Sequence, residues 1–332
     1  MKALFWEKKE SNAVRCNLCA HHCVIQNGKC GICGVRENRD GELHTLIYGL
    51  YSSVAIDPIE KKPLYHFFPG SEILSYGTVG CNFKCLHCQN YTISQAKPSN
   101  SYLEKTTPED VLKLAKRYKV PGVAWTYNEP TIWYEFTYDC SKLLHENGIK
   151  SVYVTNGYIE KDPLKQIAPY LDAMNIDVKG FTEEFYAKVV HAKLKPVLET
   201  CELAYNLGIH IELTYLVIPT YNDSEKEFVE FVKWVKEKLS PEVPVHFTRF
   251  HPDYMLTDVS PTPLATLRTA HRIAKENGLA NVYIGNVWGE PDITYCPRCN
   301  EPLIEREGFS VVYNKIKEGK CFKCKEKIFG RF

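Results

Sequence analysis

The amino-acid sequence predicts an α/β fold: a partial or full (β/α) barrel with a small Cys-rich module at each end. From about Glu72 onward, short β-branched runs alternate with amphipathic stretches, which is typical of repeated βα units around a parallel sheet. Before residue 70 and after about residue 290 this alternation fades, while Cys, Gly and charged residues accumulate. The predicted parts are therefore residues 1–70, a barrel core over residues 71–290, and residues 291–332.

Seven segments rich in β-branched and aromatic residues are the predicted strands of the barrel. They are Ile73–Thr78, Gly122–Thr126, Ser151–Thr155, Ala173–Asp177, His210–Ile218, Val243–Phe250 and Asn281–Gly285. Barrel enzymes carry their active sites on the loops that follow the strands, so the residues after these segments are the first candidates for a site.

Helices are predicted between the strands from their start signals. Thr107 before Pro108, with two acids next, predicts a helix that ends at about Lys119. The run 222–224 begins a helix to about Lys238 in the same way. The remaining predicted helices are Ile132–Glu146, Asp162–Ala168, Pro196–Leu207 and Leu264–Glu276. Together they give roughly six βα units.

The composition predicts a cytoplasmic protein with one large core. The chain has 332 residues, of which 44% are apolar, and no segment reaches the roughly 18 to 20 apolar residues of a membrane span. Residues 1–10 are charged rather than signal-like. The net charge of +1 gives no strong case for nucleic acid, although both ends are basic. Such ends form either a docking surface or solvated loops.

Fourteen cysteines in a cytoplasmic chain argue against a disulfide framework. Twelve of them fall into three spaced groups, and metal binding is the economical explanation. The other two, Cys140 and Cys201, sit in helix-like apolar patterns and are predicted core residues.

Cys81, Cys85 and Cys88 form a group that supplies only three thiolates, with three and then two residues between them. A closed [4Fe–4S] cluster normally takes four cysteines, so three thiolates can hold a cubane and leave its fourth iron open. The alternative is a zinc site with His87 as the fourth ligand. The group directly follows the first predicted strand, where a barrel carries its chemistry.

The N-terminal group offers five thiolates within eighteen residues. Four suffice for zinc or for a closed iron–sulfur cluster, and spacing alone does not separate the two. The favoured ligands are Cys16, Cys19, Cys23 and Cys33, with Cys30 as a spare or substitute.

The C-terminal group consists of two Cys-x2-Cys pairs that are separated by 21 residues: Cys296 with Cys299, and Cys321 with Cys324. Two such pairs form a zinc ribbon or a rubredoxin-like iron site, and zinc is favoured. The tail that carries them is a candidate docking element or electron-entry point.

At the three-cysteine run the sequence resembles the radical SAM superfamily. In that superfamily S-adenosylmethionine (SAM) binds the open iron, and a reduced cluster cleaves it to a 5'-deoxyadenosyl radical that abstracts hydrogen from a substrate. The resemblance implies an enzyme with a barrel of the radical SAM type, a [4Fe–4S] cluster and SAM, and an electron donor such as ferredoxin or flavodoxin.

The same resemblance extends to the ends of later strands. Glu129, in the run 127–130, stands where the superfamily has an acid that binds the SAM amino group. The runs 154–157 and 177–179 resemble SAM-binding stretches of the branch that activates glycyl radical enzymes. By that resemblance Thr155, Asn156 and Asp177 lie near SAM, with Lys179 on its carboxylate.

One particular radical SAM group, that of the AmmeMemoRadiSam system, is similar over about residues 15–290, most clearly in the runs 15–19 and 31–38. Its members are related to pyruvate formate-lyase activating enzymes. The resemblance implies a Memo-type and an AMMECR-type protein as partners. His251, at the end of the sixth predicted strand, is a further candidate for contact with the SAM ribose or the substrate.

Three functional hypotheses follow. The first is a radical SAM enzyme that acts on an unnamed substrate with help from partners. The second is a glycyl-radical-activating enzyme, although the run 212–219 has none of the Arg or Lys that this branch carries there. The third is a non-catalytic metal-cluster scaffold for protein or nucleic-acid binding, suggested by the basic, Cys-rich ends.

Overall fold

The computed structural model describes residues 1–289 and 292–332, and these form one eight-stranded sheet with helices packed against it. The strands are β1 (Ser53–Pro58), β2 (Glu72–Gly77), β3 (Gly122–Trp125), β4 (Lys150–Thr155), β5 (Ala173–Asp177), β6 (His210–Val217), β7 (Val245–Arg249) and β8 (Val282–Gly285). Their order in the sheet follows the chain from β1 at one edge to β8 at the other. Strands β2 to β8 are parallel, and β1 is antiparallel to β2.

Helices alternate with the parallel strands, as predicted. Within the described residues, those of seven residues or more are α1 (Pro108–Tyr118), α2 (Tyr134–Glu146), α3 (Lys161–Ile167), α4 (Leu194–Asn206), α5 (Glu225–Trp234) and α6 (Leu264–Glu276). The hydroxyl of Thr107 caps α1 by accepting from Asp110 N at 3.1 Å, and the hydroxyl of Ser224 caps α5 by accepting from Glu227 N. None of these helices has the length and apolarity that a membrane span requires.

The sheet is buried on both faces, which explains why its strands are continuous β-branched and aromatic runs. Val123, Val152 and Leu213 have no exposed surface. Cys140 on α2 and Cys201 on α4 are also fully buried, which confirms them as core residues. The linear strand order across the described residues makes the barrel an open, partial one, and the predicted fold class is confirmed.

The N-terminal segment packs at the C-terminal end of the strands. It contains a three-stranded sheet (Trp6–Lys8, Val14–Cys16, Val24–Ile25), a hairpin (Arg36–Arg39, Glu42–Thr45) and the strand Leu50–Tyr51, which pairs with Glu104–Lys105. Its apolar side chains Leu18 and Val35 belong to the main core of the barrel. Cys19 forms a β-bridge with Ile159, in the loop after β4. This places the segment beside the loops where a barrel site is expected.

The C-terminal segment packs at the opposite end of the barrel. Its strands are Asp292–Tyr295, Pro302–Glu307, Ser310–Asn314, Ile316–Lys317 and Lys320–Cys321. It has its own small core, which includes Leu303 and Ile328. Arg306 Nη2 donates to Tyr65 O at 2.6 Å, and Tyr65 N in turn donates to Glu212, close to the start of β6. The predicted domain boundary between residues 290 and 291 lies outside the described residues, and the three-part division stays a prediction.

Candidate cluster and cofactor site

The loop that carries Cys81, Cys85 and Cys88 directly follows β2 at the C-terminal edge of the sheet. Its backbone is covered by the segment after β5, because Lys84 N donates to Val190 O at 3.2 Å and Leu86 N donates to Val189 O at 3.0 Å. Cys85 is buried and the other two thiols are half-buried. The three thiols therefore lie in a sheltered position at the expected end of the barrel.

Gly80 fixes the approach of the N-terminal segment to this loop. Its φ is +87°, and a Cβ atom added there would lie 2.7 Å from Cys33 O and 2.7 Å from a methyl of Val35. Only glycine tolerates both the positive φ and this contact. The backbone at Cys33 is thus packed directly against the residue that precedes Cys81.

The spacing of the three loop thiols argues against zinc. Four thiolates around one zinc ion stand about 3.8 Å apart, from tetrahedral geometry and a Zn–S bond of about 2.3 Å. Among residues 1–289 and 292–332, one group of Cys, His, Asp or Glu has all its ligand atoms within 4.8 Å, and that group lies at the C-terminus. The loop thiols do not form such a group, and a cubane, in which each thiolate binds a different iron, does not require one.

His87, the zinc ligand of the alternative hypothesis, is buried within the loop. In the part of the chain that the structure describes, neither of its ring nitrogens has a hydrogen-bond partner. Burial and the nearby Lys179 lower the pKa of His87 to about 3, so the ring is neutral. Buried polar groups normally have hydrogen-bond partners. Two buried ring nitrogens without partners therefore fit a site where a bound ligand supplies those partners.

A cation lies next to Cys85. Lys179 Nζ is 2.9 Å from Asp177 Oδ2, at the end of β5, and Lys179 N donates to Tyr186 Oη at 3.1 Å. Burial alone would lower the pKa of Lys179, but the Asp177 carboxylate outweighs it and raises that pKa. The ammonium group therefore stays charged, which suits an anionic cluster or a carboxylate.

Glu129 joins the ends of β3 and β4. Its buried carboxylate accepts hydrogen bonds from Thr131 N (2.9 Å), Thr155 Oγ1 (2.7 Å) and Asn156 N (2.8 Å). Burial raises the pKa of Glu129 although these three donors oppose the shift. The predicted residues of this edge thus form one connected network.

Asn156 connects that network to the cysteine loop. Its Nδ2 donates to Asn82 Oδ1 at 2.8 Å and lies 3.8 Å from Cys81 Sγ. Its Oδ1 accepts from Tyr158 N at 3.0 Å, which fixes the orientation of the amide. Sequence reasoning missed Asn82, because nothing in its pattern marks it apart from its place beside Cys81.

His251 lies at the rim of the site. It is exposed, and its Nε2 is 2.9 Å from the Nε2 of Gln89, which directly follows Cys88. The structure therefore brings together the loop, the three strand ends and, through Gln89, His251.

Sequence reasoning also missed a buried lysine near the end of β3. Asp57 accepts from Lys61 and Lys62 (2.8 and 2.7 Å) and from Tyr127 Oη at 2.5 Å. Burial lowers the pKa of Lys62 to about 8. The sequence placed residues 53–62 in the N-terminal module, and the contact arises only because β1 joins the sheet edge.

The four favoured N-terminal cysteines surround one cavity. Cys16, Cys19, Cys23 and Cys33 line a space that encloses about 310 Å³ together with its mouth, whereas Cys30 is exposed and does not line it. The structure thus separates Cys30 from the other four.

The four C-terminal thiols are the group that lies within 4.8 Å. Cys296 and Cys324 Sγ are 3.5 Å apart, and Cys299 and Cys321 Sγ are 3.8 Å apart. These distances match tetrahedral coordination of a single metal ion.

Comparisons with known proteins agree with this site. The family model of the radical SAM superfamily matches residues 75–232, which include the cysteine loop and the strand ends. The uncharacterized protein MJ0808 of Methanocaldococcus jannaschii is 50% identical over 330 residues, 98% of each chain. The pyruvate formate-lyase 1-activating enzyme of Escherichia coli K12 is 22% identical over 228 residues, 63% of this chain and 91% of that enzyme.

Solved structures show the same fold. The crystal structure of a radical SAM methyltransferase from Sphaerobacter thermophilus superposes with a TM-score of 0.51 at 14% identity, over 67% of this chain and 68% of that one. The three-thiol loop, the cation beside it and the family match point the same way. The chain belongs to the radical SAM superfamily and is an enzyme related to the glycyl-radical enzyme activating enzymes.

Proposed function

We propose that the chain binds a [4Fe–4S] cluster through Cys81, Cys85 and Cys88 and uses it with SAM to abstract hydrogen from a substrate. When bound and reduced, such a cluster supplies the electron that cleaves SAM to a 5'-deoxyadenosyl radical. The single observation that carries the proposal is the sheltered loop of three thiols at the C-terminal edge of the sheet, with the half-buried Lys179 ammonium beside Cys85. Three thiolates leave one iron for SAM.

The surrounding residues suit the two charged groups of an amino acid such as the methionyl part of SAM. Lys179 would hold the carboxylate as a charged, partly desolvated ammonium. A carboxylate has about four acceptor positions, and Glu129 uses three of them within the protein. The position that is left would accept from the amino group.

Thr155 and Asn156 would act mainly by orientation. Each donates to Glu129, through the Thr155 hydroxyl and the Asn156 backbone N–H, and Asn156 also contacts Cys81 Sγ. Thr155 and Asn156 therefore tie the position of the Glu129 carboxylate to that of the cysteine loop. Asp177 would hold Lys179 in place, and His251 would contact the ribose or the substrate from the rim.

We infer further that the enzyme belongs to the AmmeMemoRadiSam group, acts in the cytoplasm with a Memo-type and an AMMECR-type partner, and takes electrons from ferredoxin or flavodoxin. The support is the sequence resemblance in the runs 15–19 and 31–38. Pull-down of the tagged protein with each purified partner tests the assembly, and absence of binding to either would refute it.

The test of the activity is anaerobic. Protein loaded with iron and sulfide is reduced with dithionite, SAM is added, and 5'-deoxyadenosine is quantified. We expect product from the wild type and from the matched control Cys30→Ala, and none from Cys81→Ala/Cys85→Ala/Cys88→Ala. No product from wild-type protein whose loop cluster is spectroscopically intact would refute the proposal.

A second candidate, activation of a glycyl radical enzyme, is favoured by the similarity to the Escherichia coli activating enzyme. The absence of Arg and Lys from the run 212–219 argues against it. A glycyl radical signal in a candidate partner after incubation with the reduced enzyme and SAM would support this second function. The scaffold hypothesis is not retained, because the chain belongs to an enzyme superfamily.

A further inference from the structure

The N-terminal cavity is built by four thiols and an apolar wall. Cys16, at the end of the strand Val14–Cys16, meets Cys19, Cys23 and Cys33 around the same space. The rest of its wall includes Leu18, Ile25 and Ile132. His21, Arg36 and Asn82 also line the cavity. Four thiols that face one enclosed space are suited to a metal centre.

The arrangement of these thiols favours an iron–sulfur cluster over a single zinc ion, whereas the sequence spacing favours neither. Within the residues that the structure describes, no three of them have their Sγ atoms all within 4.8 Å of one another, whereas the C-terminal four do. A single zinc ion needs all four thiolates about 3.8 Å apart. A cubane holds each thiolate on its own iron, so its ligands stand farther apart around a filled core.

A buried cation at the cavity provides a second, independent observation. The Arg36 side chain is 2% exposed and lines the cavity. Its Nη1 lies 2.9 Å from Glu135 Oε1 and its Nη2 donates to Leu4 O, yet its Nε has no partner among the described residues. A buried N–H without an acceptor fits an anionic sulfur centre that is held in this cavity.

We propose that this cavity binds a second [4Fe–4S] cluster through Cys16, Cys19, Cys23 and Cys33, with Cys30 taking no part. Four protein thiolates close the cluster, so no iron is free to bind SAM. The cluster lies close to the SAM site, because Asn82, which also lines the cavity, is bonded directly to Cys81. It does not depend on the proposed function, because its ligands are separate from those of the loop.

The test uses the full chain with Cys81→Ala, Cys85→Ala and Cys88→Ala, which removes the loop ligands. After anaerobic loading we expect about four iron and four sulfide ions per chain to remain, against about eight of each in the wild type. The electron paramagnetic resonance signal of the reduced variant should be unchanged by SAM. Sulfide is the deciding count, because a single metal ion at the C-terminal site carries none.

Matched variants assign the ligands. In the same background, Cys16→Ala/Cys33→Ala should remove the remaining sulfide, whereas Cys30→Ala should retain it. If the Cys16→Ala/Cys33→Ala variant does not fold, Mössbauer spectra of the wild type test the proposal instead. They should show two cluster populations, and SAM should change the spectrum of one of them. A loop variant without sulfide, or with two zinc ions per chain, would overturn the proposal. If instead SAM changes neither wild-type population, the proposed function fails and the second cluster stands.

Discussion

The two Cys-rich segments lie at opposite ends of one barrel and differ in how they are built. The N-terminal segment shares the main core and contacts the cysteine loop, where His21 Nε2 is 2.7 Å from Asn82 O. The C-terminal segment has its own core, and its four thiols are close enough for one metal ion. Similar Cys-x2-Cys spacing thus occurs in two different settings. One segment lies against the cysteine loop, and the other packs at the far end of the barrel with its own core.

Each segment is fastened to the barrel by a buried arginine, and the two attachments also differ. Arg36 forms an ion pair with Glu135 on α2, with Nη1 within 2.9 and 3.1 Å of the two carboxylate oxygens. Arg306 Nε is 3.7 Å from Glu60, and the Arg306 guanidinium lies 4.3 Å from the ring of Tyr65. Of these two ion pairs, the closer one, between Arg36 and Glu135, therefore joins the N-terminal segment to the barrel.

The largest expected effect is that of metal removal from the C-terminal site. Structural zinc contributes on the order of 10 kcal/mol to the folding of small metal modules, so Cys296→Ser/Cys321→Ser should unfold residues 292–332. Hydrogen exchange should show lost protection there and retained protection in β3 to β6. Cys30→Ser serves as the control and should change neither region. Equal loss of protection at the cysteine loop would contradict this difference between the two segments.

The second prediction compares the two arginines. Arg36→Met leaves Glu135 buried without a cation and should lower the free energy of unfolding by about 3 to 5 kcal/mol, measured by urea denaturation. The double variant Arg36→Met/Glu135→Leu should recover most of this loss, because it removes both charges. Arg306→Met should cost less, since Arg306 Nε lies 3.7 Å from Glu60, whereas Arg36 Nη1 lies 2.9 Å from Glu135. A larger loss for Arg306→Met would reverse the comparison.

Most of the fold could be predicted from the sequence, because the strands are buried on both faces and two of the helices, α1 and α5, begin at side-chain caps. The predicted strand Ala173–Asp177 matches β5. The predicted helix at Ile132 starts two residues later, since Pro130–Trp133 forms a 3₁₀ turn first. The edge strand β1 was missed because its partner, β2, is antiparallel to it and lies beyond a long connection.

The site could be predicted only in part. Spacing identified the three loop cysteines, and the resemblance implied Glu129 and Lys179. Asn82 and Lys62 were missed because their contacts join segments that are distant in sequence. The arrangement of the thiols in space was equally hidden, since it depends on turns that Cys-x2-Cys spacing does not specify.

The third prediction concerns acid sensitivity at the C-terminal segment. His66 joins that segment to the barrel, with Nδ1 2.7 Å from Phe329 O and Nε2 2.6 Å from Tyr283 Oη. Burial lowers the pKa of His66 from 6.5 to about 4. Below pH 6.5 His66 binds a proton in the unfolded chain but stays neutral in the folded chain. The free energy of unfolding therefore falls as the pH drops, and this loss is complete near pH 4.

This loss should reach about 3 kcal/mol for His66 alone. Urea denaturation at pH 7, 5.5 and 4 should therefore show a steeper decline for the wild type than for His66→Phe. His21→Phe, at the N-terminal segment, is the comparison variant. Parallel declines for the wild type and His66→Phe would show that His66 does not carry the acid sensitivity.

The smallest expected effect comes from one added methyl group at each attachment. In Gly80→Ala the added Cβ would lie 2.7 Å from Cys33 O, at a residue whose φ is +87°. In Gly330→Ala the added Cβ would lie 2.5 Å from His66 O, at a residue whose φ is +142°. Each should cost about 1 to 2 kcal/mol of stability, because an L-residue is strained at positive φ and a backbone oxygen cannot move aside cheaply.

Their effects on activity should differ, since Gly80 precedes Cys81 and Gly330 lies at the far end. Gly80→Ala should lower 5'-deoxyadenosine formation severalfold at unchanged iron content, and Gly330→Ala should leave it unchanged. Equal loss of activity in both variants would mean that the C-terminal segment acts on the site as well.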